Sequence, residues 1–242
     1  MKDIHSHLLY GIDGGSKSIE ESITLLKEMK SRGVDELVLT PHYIEGSKYN
    51  CNNEDKRKLF NEFQKKVEEE QIDVKLYLGN EVYITPHFIE LLENKEIRTI
   101  NNSKYLLFEF PLRQMYNNTS DMITSLTTKG CIPILAHPER YPIFQHHPDK
   151  LEDYLMKGVF MQGNLTSLFG VYGRDSKKTL KYFLKKKWIT FLGSDTHHKV
   201  EFDSVKLEKK LLKITKDPEY VKDLMGNNFD KVINDQDIGM IR

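Results

Sequence analysis

The sequence predicts an α/β barrel built from parallel strands. Short apolar runs alternate with amphipathic segments of helical period along most of the chain, and acid or imidazole side chains recur where the apolar runs end. That alternation is the rhythm of βα units, which either spread into a doubly wound sheet or close into a barrel. Seven strand candidates with their chemistry at the C-terminal ends favour a barrel of seven or eight strands, because βα loops open at that rim.

The elements follow in order. Residues 3–5 start the first strand, and His5 and His7 straddle Ser6; side chains two apart on an extended strand share a face, so both imidazoles can meet one cation. The amphipathic stretch 18–31 reads as a helix. Residues 34–40 read as the second strand, which Pro41 ends, presenting His42 at the rim. A helix over 53–71 leads to a strand over 74–78, after which Gly79-Asn80 precedes Glu81. The strand over 105–110 holds Glu109 between Phe108 and Phe110, and a carboxylate buried there demands a cation or strong hydrogen bonds. After a helix over 121–129, the strand 132–136 runs into Ala136-His137-Pro138-Glu139-Arg140, with a guanidinium three residues from an imidazole. A helix over 151–157, a strand over 160–162 and a helix over 175–186 follow. The last strand, 189–192, leads to Gly193-Ser194-Asp195-Thr196-His197-His198, where Asp195 and His197 repeat the two-residue geometry of His5 and His7. Helical pieces at 206–212 and 220–224 read as cover for the barrel.

Composition narrows the function classes. Lys plus Arg and Asp plus Glu number 36 each, so no global field attracts nucleic acid or an anionic membrane. The basic cluster at 177–187 carries Leu180, Phe183 and Leu184 at helical spacing and reads as a solvated helix face. No apolar stretch approaches the roughly 20 residues of a membrane span, and Met1 to Ile4 run directly into His5 without a signal peptide. Only Cys51 and Cys131 are present, without C-x-x-C spacing, which argues against a disulfide framework and fits a reducing cytoplasm. With no composition shift or linker, residues 1–242 read as one domain.

The candidate chemistry lies in His5, His7, Asp13, His42, Glu81, Glu109, His137, Asp195 and His197, which converge on a multinuclear metal centre if their strands are parallel neighbours. Nitrogen and oxygen donors without thiolate suit manganese, iron or zinc. His87, His146 and His147 lack strand-end context and read as surface residues. A C-x5-R sequence runs from Cys51 to Arg57, but Glu54 and Asp55 would repel a phosphate dianion and no glycine-rich cradle is present, which argues against a cysteine phosphatase.

Taken together, Asp3-Ile4-His5-Ser6-His7, Thr40-Pro41-His42, Gly79-Asn80-Glu81, Phe108-Glu109-Phe110, Ala136-His137-Pro138-Glu139-Arg140-Tyr141 and Ser194-Asp195-Thr196-His197 resemble the polymerase-and-histidinol-phosphatase (PHP) superfamily. More narrowly, they resemble its manganese-dependent bacterial protein-tyrosine phosphatases, the capsular and exopolysaccharide regulators of the CpsB and YwqE type. The resemblance implies a distorted (β/α)7 barrel with two or three divalent ions, manganese foremost, held by the nine residues named above. It implies that Glu81 bridges two ions, that Asp195 belongs to the catalytic apparatus, and that Arg140 holds phosphate oxygens. Two departures stand out. The family usually shows adjacent aspartates where this chain has Asp13-Gly14, which weakens a third metal site, and Lys199 stands near the position of a second phosphate-binding arginine.

The implied reaction is in-line attack on phosphorus by a metal-bound hydroxide, without a covalent enzyme intermediate. Arg140 and Lys199 would gather phosphate charge, and Tyr43, Tyr116 and Tyr141 could flank a phenyl ring. The implied substrate is a phosphotyrosine protein, such as the tail of a polysaccharide-assembly tyrosine kinase. The alternatives are a small-molecule phosphatase such as a histidinol phosphatase, an amidohydrolase-like barrel, and a non-catalytic metal-binding regulator. Oligomeric state is left open by the sequence.

Overall fold

The computed structural model describes residues 1–112 and 119–239. In chain order the elements are β1 (Lys2–Asp3), α1 (Ile19–Ser31), β2 (Glu36–Leu39), β3 (His42–Tyr43), α2 (Asn53–Glu69), β4 (Lys75–Leu78), β5 (Glu81–Tyr83), α3 (Phe88–Glu93), β6 (Tyr105–Glu109), α4 (Thr119–Thr128), β7 (Ile132–Ala136), α5 (Pro142–His146), α6 (Glu152–Met156), β8 (Phe160–Asn164), α7 (Gly173–Lys185), β9 (Phe191–Gly193), α8 (Ser204–Thr215), α9 (Pro218–Lys222) and α10 (Asn228–Ile233). Side-chain caps start several helices: Ser18 accepts from Glu21 N, Asn52 from Asp55 N and Asp203 from Lys206 N.

Two parallel ladders carry the strands, ordered β1-β2-β4 and β3-β5-β6-β7-β8-β9. They are one curled sheet interrupted twice. Pro41, which has no N–H to give a ladder, separates β2 from β3, and Gly79-Asn80 separates β4 from β5. The outer edges then meet through a parallel bridge between Ser6 and Thr196, with His7 N–H donating to Thr196 O and Asp195 N–H to His5 O, both at 2.9 Å. With β2–β3 and β4–β5 each counted as one interrupted strand, the result is the distorted seven-stranded α/β barrel expected from the sequence. What the sequence reading missed were β3, β5, α3, α5 and α10, each of six residues or fewer and too short to show a period.

A polar clip sits at the double interruption. Buried Asn80 donates from Nδ2 to Pro41 O at 2.9 Å, while its Oδ1 accepts from Lys56 Nζ at 2.7 Å and Arg98 N at 3.1 Å. Asn80 thereby ties the second break to the carbonyl released by the first, and Glu81 N–H donates to the same Pro41 O at 3.2 Å, which holds His42 and Glu81 side by side.

Alternation along the strands divides the interior. Leu106 and Phe108 of β6 face the helices, whereas Tyr105 and Leu107 join Ile4, Val38, Ile134, Phe160 and Phe191 inside the barrel. Phe229 and Val232 of α10 complete that inner cluster, so the chain's last helix plugs the barrel's lower end. The cover expected of the C-terminal helices is supplied by α8, which buries Leu207 and Leu211, and by Val221 of α9. The basic stretch of α7 buries Leu180, Phe183 and Leu184 and turns its lysines outward.

Candidate metal centre

The upper end of the interior is filled by acids and imidazoles. Three overlapping sets have donor atoms all within 4.8 Å of one another: His5, His7, Glu81 and Asp195; His42, Glu81 and Glu109; and His7, His42 and His197. Glu81 lies in the middle. Its Oε2 is 3.2 Å from His5 Nε2, 3.3 Å from His7 Nε2 and 3.0 Å from His42 Nδ1, and its Oε1 is 2.9 Å from His137 Nε2.

Neighbouring groups decide which atom of each donor faces inward. His5 Nδ1 donates to Gln162 Oε1 and His7 Nδ1 to Asp13 Oδ2, both at 2.7 Å, so Nε2 is the nitrogen each ring turns inward. Without a metal the facing carboxylates outweigh burial and raise both imidazoles, so a bound cation would take the place of a proton there. Those two Nε2 atoms are 3.1 Å apart and point at the same space. Asp195 Oδ2 accepts from Arg140 Nη1 at 2.7 Å, Asn164 Nδ2 at 2.9 Å and Tyr172 OH at 3.2 Å, leaving Oδ1 at 3.2 Å from His7 Nε2. His197 Nδ1 donates to Asp195 O at 3.0 Å.

The backbone is bent to suit the site. His137 and Asp195 hold φ of 36° and 54°, left-handed conformations costly for residues with a Cβ and typical of functional positions. Gly193 is required beside them: a Cβ there would lie 2.5 Å from His5 Cβ and 2.8 Å from Gln162 Nε2.

Electrostatics point to a cation. Burial alone would raise the Glu81 and Asp195 carboxyls, but the neighbouring imidazoles overcome it and hold both well below the usual carboxylate range. Glu109 goes the other way: burial and then the charges of Glu81 and Asp195 push it far up. Burial, with Arg140 beside one and His7 beside the other, lowers His137 and His197 to about 4 and keeps them neutral, the ligand form. Among the described residues, neither Glu81 Oε2 nor His42 Nδ1, both buried, finds a hydrogen-bond partner of good geometry. Orphaned ligand atoms, imidazole nitrogens turned toward one another and a carboxylate raised by burial and by its neighbours are what divalent ions would satisfy, so the residues fit the metals expected.

Seven of the nine expected donors fall within the three sets, and His137 adjoins them through Glu81. Asp13 stands apart. Its oxygens accept from His7 Nδ1, His42 N at 3.0 Å and Gly15 N at 2.8 Å, contacts that fix His7 and the backbone of His42. Gly14 offers no donor: a Cβ there would lie 4.0 Å from His197 Cδ2, so the set of His7, His42 and His197 has no carboxylate of its own.

A pocket of about 270 Å³ opens beside Asp195 and His197, walled by Tyr172 and Thr166, with exposed Lys199 at its edge. Arg140 stacks on Tyr172, its Cζ 4.2 Å from the ring centroid. Tyr43 and Tyr141 do not flank this space. Both are buried, Tyr43 bonded to Glu96 and Tyr141 accepting Phe110 N–H, so packing claimed the rings expected at the rim; Tyr116 lies outside the described residues. His87, His146, His147 and His198 are exposed and outside the centre. Cys51 is half-buried with its thiol pKa raised by burial, the wrong direction for a nucleophilic thiolate.

Sequence reasoning passed over Gln162, Asn164 and Tyr172. The first two carried a signal, since amides at alternate positions ending an apolar strand share its inner face. Tyr172 lies outside any strand and carried none.

The family model described as capsular polysaccharide synthesis, CpsB/CapC, matches residues 1–234. CapC of Staphylococcus aureus, provisionally named a tyrosine-protein phosphatase, is 37% identical over 197 residues, 81% of this chain and 77% of that protein. Tyrosine-protein phosphatase CpsB of Streptococcus pneumoniae is 32% identical over 203 residues, 82% of this chain and 83% of that one. A chain from the crystal structures of YwqE from Bacillus subtilis and CpsB from Streptococcus pneumoniae, described as metal-dependent tyrosine phosphatases, superposes with a TM-score of 0.93. That match covers 100% of this chain and 97% of the other at 26% identity.

Proposed function

Because the chain belongs to the capsular polysaccharide synthesis family CpsB/CapC, we propose that it is a metal-dependent protein-tyrosine phosphatase. The observation that carries this reading is Glu81, whose Oε1 faces His137 and whose Oε2 faces His5, His7 and His42, so that it would serve as a ligand common to the neighbouring sets. His5, His7, His42, Glu81, Glu109, His137, Asp195 and His197 would hold two or three ions, with Asp13 as the orienting carboxylate. Manganese leads, with iron or zinc as alternatives for the same nitrogen and oxygen donors.

Bound divalent ions would supply Lewis-acid charge for phosphoryl oxygens and an activated water at neutral pH. The chain's own residues do the rest. Arg140 gives one N–H to Asp195 and keeps the other donors of its fork for phosphate, held flat by Tyr172. Lys199 adds charge at the pocket edge but no fork. A phenolate leaves with its own pKa near 10, so aryl phosphates need no strong acid to protonate the leaving oxygen.

The substrate would be a phosphotyrosine protein, with the tail of a polysaccharide-assembly tyrosine kinase as the foremost candidate. No described helix is long and apolar enough to cross a membrane, and action in the cytoplasm by residues 1–242 as one domain fits that substrate. The family match disfavours a histidinol phosphatase, and the presence of His5, His7, Glu81, His137 and Asp195 disfavours a non-catalytic regulator. The test is turnover of p-nitrophenyl phosphate and a phosphotyrosine peptide by protein stripped with chelator and then reloaded with manganese. Turnover should vanish and return; hydrolysis that survives complete demetallation refutes the reading.

A further inference from the structure

On the flank of the barrel a second cleft, of about 420 Å³, is lined by Asn53 and Arg57 of α2 and by Lys95, Arg98, Thr99 and Asn102 from the chain between α3 and β6. Arg57 is the arginine of the C-x5-R sequence that the metal centre leaves unused. Its neighbour Lys58 is paired with Glu54 and Asp55, yet among the described residues Arg57, Lys95 and Arg98 form no ion pair with a carboxylate. Arg98 spends one N–H on Asn102 Oδ1 at 2.9 Å, and its buried Nε has no partner among the described residues. Burial and then the charge of Arg57 lower the Arg98 pKa, so the two guanidiniums feel each other across the cleft. Fully buried Lys56 stands behind them with Nζ 3.3 Å from Asn53 Oδ1. The lip is built from strained backbone: Lys95 and Asn102 hold φ of 58° and 57°.

Like charges collected around a concavity without counter-ions raise its potential and are relieved by a bound anion. Two guanidinium forks match phosphate oxygens, and the Thr99 hydroxyl and the Asn102 amide N–H offer partners to a hydroxylated organic part, while the Asn53 side chain, held by Lys95 O, Ile97 O and Lys56 Nζ, braces the wall. We propose that this cleft is a second anion site, separate from the metal centre, which takes a small phosphate ester through Arg57 and Arg98. Its wall is attached to the centre's scaffold, since Arg98 N–H and Lys56 both bond Asn80, the residue before Glu81. The site does not depend on the chain being a phosphatase.

Calorimetric titration of the metal-loaded full-length protein with pyrophosphate, UDP and glucose 1-phosphate tests it. A binding event should persist in Arg140→Gln, weaken at least tenfold in Arg57→Glu, and weaken likewise in Arg98→Gln. Arg57 is exposed, so its variant should unfold at the native temperature, which keeps the test valid if the Arg98 variant folds poorly. Tighter binding of UDP would assign the organic part to a nucleoside, and tighter binding of glucose 1-phosphate to a sugar. Binding lost in Arg140→Gln but unchanged in Arg57→Glu, or no binding of any of the three at millimolar concentration, would overturn the proposal.

Discussion

The two ends of the barrel interior are built on the same strands and obey opposite physics. β6 crosses both: Tyr105 and Leu107 point into the lower, apolar cluster, and Glu109 two residues later points into the metal centre. Below, Phe160, Phe191 and the α10 plug remove apolar surface from water, the main favourable contribution to folding. Above, buried carboxylates and imidazoles lose their hydration and recover it only in part from one another. Stability should therefore reside at the closed end and activity at the open one.

The most damaging way to test that division is Phe229→Ala, which opens a cavity in the plug. It should destabilise the fold by about 3–5 kcal/mol with or without metal, while kcat at saturating metal stays native. Chemical denaturation in parallel with turnover checks it; an equal loss of kcat in the folded variant would join the two ends.

Glu109→Gln works from the opposite side. Turnover should fall by about a hundredfold or more, beyond the roughly 10–100-fold that even orienting partners of ligands command. The metal-free fold should be at least as stable as native. Since the Glu109 carboxyl is raised in the metal-free fold, its contribution is present at low pH and lost as pH rises, and the Gln variant should lack that loss. Denaturation in chelator at pH 5 and pH 8 compares them.

Asp13→Asn sharpens the boundary within the upper end. If Asp13 orients His7 and His42, metal affinity drops roughly 10–100-fold with the number of bound ions unchanged. Equilibrium dialysis with elemental analysis decides, and loss of one ion per chain would make Asp13 a ligand instead.

Much of this division could be read in advance from periodicity. The seven strands, the helices longer than ten residues and the strand-end placement of His5, His42, Glu81, Glu109, His137 and Asp195 all follow from where apolar runs begin and stop. The aim of individual atoms could not. Asp13 carries the same residue type as a ligand, and only the structure shows its Oδ2 spent on His7 Nδ1 at 2.7 Å. Tyr43 and Tyr141 sit beside His42 and Arg140 in sequence, but strand and turn geometry sends their rings into the core. The breaks at Pro41 and Asn80 were visible as sequence; that the buried Asn80 amide would join the second to the Pro41 carbonyl while accepting from Lys56, 24 positions away, was not.

Lys56 stands where the two regimes meet, and it offers the smallest but most specific measurement. It is fully buried, with Nζ on Asn80 Oδ1 and Asn53 Oδ1 and no carboxylate partner among the described residues, and burial lowers its pKa from 10.5 to about 7. Between about pH 7 and pH 10 the unfolded chain would hold a proton there that the folded chain has released. The unfolded state then binds more protons, so stability rises with pH across that window, at up to about 1.4 kcal/mol per unit. In Lys56→Met the group is gone, while Asn80 Oδ1 still accepts from Arg98 N. The difference in unfolding free energy between native and variant protein, measured in chelator, should therefore shift toward the native protein as pH rises from 7 to 10. A flat difference would mean that the ammonium stays charged inside the clip, and that the boundary between the two ends is held by a buried charge after all.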